Sequence, residues 1–210
     1  MNVQAFDYVI VGAGSAGCVL AARLTEDPAC TVLLLEAGPQ DKSWKIHMPA
    51  GMGQLLSSTQ FNWSYLSEPE PYLDNRRLTH PRGRVLGGSS SINGMVYIRG
   101  HARDYDSWTQ SGARGWSYAD VLPYFKRAEG RQGGGNEYRG GDGPLHVSRP
   151  DTADAILSNA FISAGLEAGY PYTDDVNGRQ QEGFGPIDRT TRHGKRWSAA
   201  QAYLHPAMER

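Results

Sequence analysis

The sequence predicts an α/β fold that opens with a strand–helix–strand unit. Three observations indicate this fold. Two short apolar runs, at residues 7–12 and 31–36, are rich in valine, isoleucine and leucine, which is typical of parallel strands buried on both faces. Between them, residues 16–25 carry apolar side chains along one side of a predicted helix. The unit takes about 30 residues, the usual length of a right-handed crossover between parallel strands.

The chain has 210 residues, which is enough for a domain with a core of its own. The formal net charge of -1 predicts no nucleic-acid partner. Two cysteines, Cys18 and Cys30, form neither a metal-ligand spacing nor a disulfide framework, so we expect no metal site. No apolar run is long enough to span a bilayer and no leader peptide is visible. We therefore expect a cytoplasmic protein, with peripheral association at the inner face of the membrane left open.

The first motif is the glycine-rich turn that connects the first strand to the helix. Gly12 permits the tight turn, Gly14 leaves room for the backbone to approach a pyrophosphate, and Gly17 allows close helix–strand packing. The free N–H groups and the dipole at the start of the helix favour an anion. The residues expected to hold a diphosphate are Gly12, Gly14, Ser15, Ala16 and Gly17. A glycine-rich turn without a ligand is the alternative.

Glu36 ends the second predicted strand, about 20 residues beyond the glycine turn, where a carboxylate accepts hydrogen bonds from ribose hydroxyls in Rossmann-like folds. The same carboxylate would repel a 2′-phosphate and so disfavours NADP. A solvent-facing glutamate at a strand end is the alternative. The glycine turn and Glu36 alone fit NAD and FAD equally well as the bound cofactor.

Downstream, four prolines within residues 38–80 predict loops and short extended pieces. Residues 117–129 predict a helix with a capping box from Ser117 and Asp120, which Pro123 should kink or shift. Residues 131–143 predict a glycine-rich surface loop.

The most regular amphipathic pattern covers residues 153–168. It predicts a helix that packs its apolar side into a core and ends at Gly169.

A second glycine-rich segment, residues 83–100, combines paired glycines, three serines and Asn93. Such a segment offers backbone N–H groups and small hydroxyls that can lie against phosphates or a flat ring. A flexible linker is the alternative, but the apolar run Met95–Ile98 directly after it predicts an ordered, buried piece.

Residues 83–106 resemble the first signature of the glucose–methanol–choline (GMC) oxidoreductases. The stretches that agree with this family are 12–17, 35–38, 62–63 and 112–124. Three others resemble its bacterial choline dehydrogenase branch, namely 65–71, 181–185 and 196–200.

The resemblance implies an incomplete Rossmann-like FAD-binding domain over residues 1–150, with the flavin loop at 83–100, and the beginning of a substrate-binding region at 151–210. Family members oxidise an alcohol to an aldehyde, passing the proton to a histidine and a hydride to flavin N5. For this chain the resemblance implies choline oxidation to betaine aldehyde, with a medium-chain primary alcohol as the alternative substrate. The family's catalytic histidine lies beyond the position of Arg210, so no catalytic residue is assigned and the fragment alone is expected to be inactive.

The resemblance also assigns a flavin-contacting set. Besides the glycine turn and Glu36, the cofactor-binding residues it implies are Arg84, Gly87, Gly88, Ser89, Asn93, Gly94, Met95 and Val96. Some relatives attach FAD covalently through a histidine, but the matching position here is Ile92, which predicts non-covalent FAD. A quinone or similar acceptor is expected to take the electrons, while the choice between dehydrogenase and oxidase stays open.

Two other hypotheses remain. An NAD-dependent dehydrogenase requires further strand–helix units after Glu36, which residues 38–80 do not resemble. A non-catalytic flavin-binding module would end naturally at Arg210. Because a two-stranded parallel sheet is not self-sufficient, we expect instead that the sequence is truncated.

Overall fold

The structure is a computed structural model that describes residues 4–151 and 155–210. The chain forms two compact units. The first comprises the residues up to Met95 together with His193–Arg210, and the second is Val96–Arg192. The functional division expected near residue 150 stays a prediction, because these units are defined by contacts and not by what they bind.

The first unit opens with the predicted strand–helix–strand arrangement: β1 (Tyr8–Val11), α1 (Ser15–Leu24) and β2 (Val32–Leu35). The strands are parallel, with Tyr8 opposite Val32 and Val11 opposite Leu35. The elements lie within two residues of their predicted bounds, and their parallel pairing confirms the predicted unit.

The expectation that these strands are buried on both faces is wrong. Val9 is 57% exposed and Val11 84% exposed, although both are apolar. Among the described residues β1 and β2 pair only with each other, and α1 packs along them. The apolar pattern therefore identified the strands correctly but not their environment.

Residues 38–80 contain short helices as well as the predicted extended pieces. Helices α2 (Trp44–His47) and α3 (Met52–Leu56) flank a 3₁₀ turn at Pro49–Gly51. Strands β3 (Tyr65–Leu66) and β4 (Thr79–His80) then pair antiparallel around a 3₁₀ turn at Pro71–Leu73. These two helices were not predicted, because a helix of about one turn is too short to show a helical period in the sequence.

The core of this unit lies beside the second glycine-rich segment. It consists of the buried side chains Ile46, Leu55, Phe61, Val85 and Ile92. The unit also includes a two-residue strand, Lys195–Arg196, a π-helical turn, Ala200–Leu204, and a final turn of helix, His205–Met208. The π-helical turn packs against α1.

The second unit begins with α4 (Ala102–Gln110) and α5 (Tyr118–Ala128). The capping box at Ser117 and Asp120 is confirmed, and Asp120 Oδ2 accepts the Ser117 N–H at 3.0 Å. Pro123 does not shift the start of α5, which runs on through it to Ala128. The helix continues even though a proline in a helix interior removes one N–H donor.

The unit continues with β5 (Glu129–Arg131), β6 (Leu145–Val147), α6 (Ile156–Glu167) and a two-residue strand, Thr191–Arg192. Strands β5 and β6 are parallel. The predicted helix at 153–168 is present as α6, although residues 153 and 154 lie outside the described residues. Gly169 follows its last turn with φ +88°, as expected of a helix end.

The expected core packing of α6 is wrong. Ile156 is 80% exposed, Leu157 86% and Phe161 69%, and Gly165 is the buried residue of this helix. The Phe161 ring contacts the Phe184 ring at a centroid distance of 5.2 Å. The apolar side of α6 is therefore largely uncovered among the described residues.

The glycine-rich segment 131–143 is not purely a surface loop, because Arg139 within it is fully buried. Its guanidinium Nε donates to Glu129 Oε1 at 2.8 Å and its Nη2 to Asp188 Oδ2 at 2.7 Å, and it also pairs with Asp175. Arg99 Nη2 donates to the other Glu129 oxygen at 2.5 Å. Burial alone would lower the pKa of Arg139, but bonds and charge from Glu129 and the two aspartates raise it overall. We call these five residues the buried ion network.

Candidate functional site

The site starts at the turn between β1 and α1, whose glycines have the predicted roles in the fold. Gly12 has φ +95°, in the left-handed region, and its N–H donates to the Leu35 carbonyl at 2.7 Å. A Cβ on Gly17 would overlap the Gly12 carbonyl oxygen. The turn can therefore lie this close to the helix only with glycine at position 17.

The start of α1 is open to a ligand. Gly14 is the N-cap residue, no side chain caps the helix, and its first turn holds no acidic residue. A Cβ built on Gly14 would meet no atom within 4 Å, and Ser15 and Ala16 are exposed. Uncapped N–H groups beside open space favour an anion such as a diphosphate.

Glu36 lies beside the turn and organises its backbone. Its Oε2 accepts the Ala13 N–H at 2.8 Å and its Oε1 accepts the Gly38 N–H at 2.9 Å. A carboxylate has about four lone-pair directions, so each oxygen can still accept a hydroxyl. The predicted ribose contact is compatible with this arrangement and stays a prediction.

The structure brings the second glycine-rich segment directly onto the first. The Gly87 N–H donates to the Ala13 carbonyl at 2.7 Å. Gly88 has φ +55°, and a Cβ on it would lie 2.7 Å from Gly14 Cα. Two motifs far apart in the sequence thus form one continuous backbone surface.

Beyond this contact the segment tightens into a 3₁₀ turn, Gly88–Ser91. The exposed Ser89 accepts the Gly83 N–H through its Oγ at 3.1 Å, and Asn93 Oδ1 accepts the Met95 N–H at 3.0 Å. Met95 is buried yet has φ +61°, which is uncommon for a residue with a side chain. Such a conformation persists only where the surroundings hold it, and it is common at functional sites.

The remaining predicted cofactor-binding residues are Arg84, Gly94 and Val96. The Arg84 guanidinium donates from Nη2 to the Thr59 carbonyl at 3.2 Å and lies over the Trp63 ring, 5.5 Å from its centroid. Gly94 is exposed beside Met95, and Val96 belongs to the second unit, where it is half exposed. Their roles toward a cofactor stay predictions.

Several residues of this site were not singled out from the sequence. Ala13 uses both its N–H and its carbonyl to join Glu36 to Gly87. A Cβ on Gly38 would overlap the Arg84 carbonyl, so this glycine also permits a close approach. The Cys18 thiol donates to the Ala13 carbonyl at 3.3 Å, and burial raises its pKa to about 11. Backbone contacts of this kind leave little signal in a single sequence.

Within the described residues, the side chains of three histidines lie within hydrogen-bond distance of other groups of the fold. His101 Nδ1 accepts the Arg103 N–H at the start of α4, and His146 Nδ1 lies 2.7 Å from the Thr191 carbonyl. His205 Nε2 lies 2.9 Å from Asp41 Oδ1. Within residues 4–151 and 155–210, no cluster of histidine, cysteine or acidic residues could hold a metal ion, and no helix is long and apolar enough to cross a membrane.

Comparison with known proteins agrees with this geometry. Residues 6–210 match the family model described as GMC oxidoreductase. The chain is 58% identical to mitochondrial choline dehydrogenase of Mus musculus over 98% of its own length and 35% of that protein. It thus spans about a third of this relative.

Two solved structures have the same architecture. Pyridoxine 4-oxidase from Mesorbium loti superposes with a TM-score of 0.90 at 39% identity, covering 95% of this chain and 39% of the other. An FAD-dependent oxidoreductase from Chaetomium thermophilum superposes with a TM-score of 0.87 at 32% identity, covering 98% and 37%.

Proposed function

The chain belongs to the GMC oxidoreductase family, and from this premise we propose that the protein binds FAD and oxidises the primary alcohol of choline to an aldehyde. One observation carries the proposal: the Gly87 N–H bonded to the Ala13 carbonyl places the second glycine segment against an uncapped helix start. That arrangement provides a place for a diphosphate and, next to it, a backbone surface for a flat ring.

The residues of this chain would hold and orient the cofactor. The N–H groups at the start of α1 would bind the diphosphate, and the Glu36 carboxylate would accept ribose hydroxyls. The segment from Gly87 to Val96 would lie along the pyrophosphate and the flavin ring, with Arg84 as the nearest basic residue. FAD, when bound, would supply the redox chemistry as the hydride acceptor through its N5, and the residues named above would position it.

The attachment of FAD is proposed to be non-covalent. Ile92 is 1% exposed and packs in the apolar core with Val85 and Phe61, and its side chain holds no nucleophile. The base that takes the alcohol proton is proposed to be a histidine in the family region that follows the position of Arg210, and none of the six histidines here is assigned to it.

Choline is favoured as substrate because the mouse relative at 58% identity is a choline dehydrogenase. A medium-chain primary alcohol is the second candidate. The electron acceptor is proposed to be a quinone or a similar carrier, and the protein is proposed to act in the cytoplasm, with peripheral association at the inner membrane face as the alternative.

Purification of the full-length protein tests the proposal. We expect a yellow protein with visible flavin absorbance that releases FAD on acid denaturation. Choline should bleach the flavin without oxygen, whereas an uncharged alcohol of similar size should do so more slowly. A correctly folded, colourless protein that fails to take up FAD contradicts the whole proposal, while flavin that stays with denatured protein contradicts only the non-covalent attachment.

A further inference from the structure

A buried arginine, Arg196, holds the turn that precedes Asn93. The residue is 1% exposed, and its Nε donates to the Ile46 carbonyl at 2.8 Å. Its Nη1 donates to the Asn93 carbonyl at 2.7 Å, to Asn93 Oδ1 at 2.9 Å and to the Ser90 carbonyl at 3.2 Å. One guanidinium thus connects α2 to the glycine-rich segment.

No carboxylate balances this charge within the described part of the chain. Every acceptor of Arg196 is a neutral oxygen, and its buried Nη2 has no hydrogen-bond partner there. The other two fully buried or nearly buried arginines, Arg99 and Arg139, both pair with Glu129. Buried charges are normally paired, and burial lowers the pKa of Arg196 to about 10.

An unpaired buried cation beside the glycine-rich segment can be balanced by a negative charge on a bound ligand. Because Arg196 also bonds Asn93 twice, its position and that of the Met95 backbone are linked through the Asn93 side chain. The residue can therefore influence a ligand both through the shape of the segment and through its charge.

We propose that Arg196 is a positioning residue of the cofactor site, which fixes the turn at Ser90–Asn93 and supplies a buried positive charge that favours negative charge on bound FAD. The inference rests on the proposed function, since it presumes that FAD lies along this segment. It assigns to Arg196 an electrostatic role that a purely structural clamp would not have, because a charge near the flavin changes its reduction potential.

The test compares Arg196→Met and Arg196→Lys in the full-length protein. Apoprotein of each variant is titrated with FAD, and the midpoint potential of the bound flavin is measured. For Arg196→Met we expect the Kd for FAD to rise about tenfold, because the variant loses both the bonds that fix the turn and a positive charge beside the cofactor. The midpoint potential should become more negative, because reduction adds negative charge and the variant lacks one of the cations that would balance it.

Lysine keeps the charge but cannot bridge Ile46, Ser90 and Asn93 together. We therefore expect Arg196→Lys to raise the Kd about threefold or more while the midpoint potential stays close to that of the parent protein. If the methionine variant does not fold, the lysine variant decides: a Kd equal to that of the parent overturns the proposal. An unchanged midpoint potential in a folded Arg196→Met protein also overturns it, because a raised Kd alone would fit a purely structural clamp.

Arg139→Lys is the matched control, because Arg139 is equally buried but lies in the ion network of the second unit. It should lower thermal stability and leave the Kd for FAD unchanged, which separates a general loss of stability from the effect expected of Arg196→Lys. A parent protein that binds no FAD would refute the proposed function itself, before any variant is compared.

Discussion

Two glycines of the first turn have separable roles at the residue scale. A Cβ on Gly14 would meet no atom within 4 Å, whereas a Cβ on Gly17 would overlap the Gly12 carbonyl oxygen. Gly14→Ala should therefore change the free energy of unfolding by less than about 0.5 kcal/mol but raise the Kd for FAD about tenfold, because the methyl group occupies the space for the pyrophosphate.

Gly17→Ala should instead destabilise the fold by about 1–3 kcal/mol, because the helix must move away from the turn. Denaturant unfolding and FAD titration of both variants measure the two effects. A Gly14→Ala protein that binds FAD like its parent would contradict a diphosphate at this turn, and an undiminished stability of Gly17→Ala would contradict the close packing.

The residues of the candidate site differ in how well a single sequence could predict their contacts. Gly12, Gly14 and Gly17 follow from local chain geometry, since a strand, a tight turn and a helix within a few residues leave few choices. The contacts of Arg196 could not be predicted in this way, because its partner Asn93 lies 103 residues earlier. Likewise, nothing near Arg84 in the sequence indicated that its side chain would lie over Trp63.

At the scale of elements, the cap at the start of α5 allows the stability contribution of a local sequence motif to be measured. Ser117 accepts the Asp120 N–H through Oγ at 3.3 Å; Ser117 is half-buried and Asp120 is exposed. Ser117→Ala should destabilise the protein by about 1 kcal/mol, because the cap satisfies an N–H group that the helix cannot. The matched control is Ser163→Ala in the exposed middle of α6, which removes no cap. Thermal unfolding monitored by circular dichroism should distinguish them, and equal melting temperatures would exclude a capping role.

The ends of elements were predicted well because their sequence signals are local. The burial of elements was predicted poorly because it depends on distant segments. The capping box of α5 and Gly169 after α6 lie at the ends of the helices they delimit. The burial of β1 and α6 depends on which other segments cover them, and Val11 and Leu157 remain exposed despite apolar patterns. Amphipathicity indicates a face that can be buried and not the surface that buries it.

At the scale of the whole molecule, each unit has its own kind of interior. The first packs an apolar core of Ile46, Leu55 and Ile92 behind its glycine-rich segment. The second gathers charges from distant parts of the chain around Glu129, which is fully buried. The apolar core could be expected from composition, but an ion network that joins residues 99 to 188 could not, because each of its members also fits an exposed loop.

The ion network leads to the prediction with the largest expected effect on stability. Glu129 accepts hydrogen bonds from Arg99, from Arg139 and from the Gly140 N–H, and all three donor residues are buried. Glu129→Gln keeps the shape but leaves the two guanidinium groups short of one negative charge, which should cost about 3–5 kcal/mol.

Urea unfolding of the full-length protein measures this loss, with Glu167→Gln on the exposed face of α6 as the control that removes the same charge without burial. FAD titration provides an independent readout: because the hydrogen bonds of Glu129 run to Arg99, Arg139 and Gly140 and not to the glycine turn, the folded variant should keep the parent's Kd. A loss of less than about 1 kcal/mol would mean that Glu129 contributes no more than a surface ion pair and is not the centre of the network.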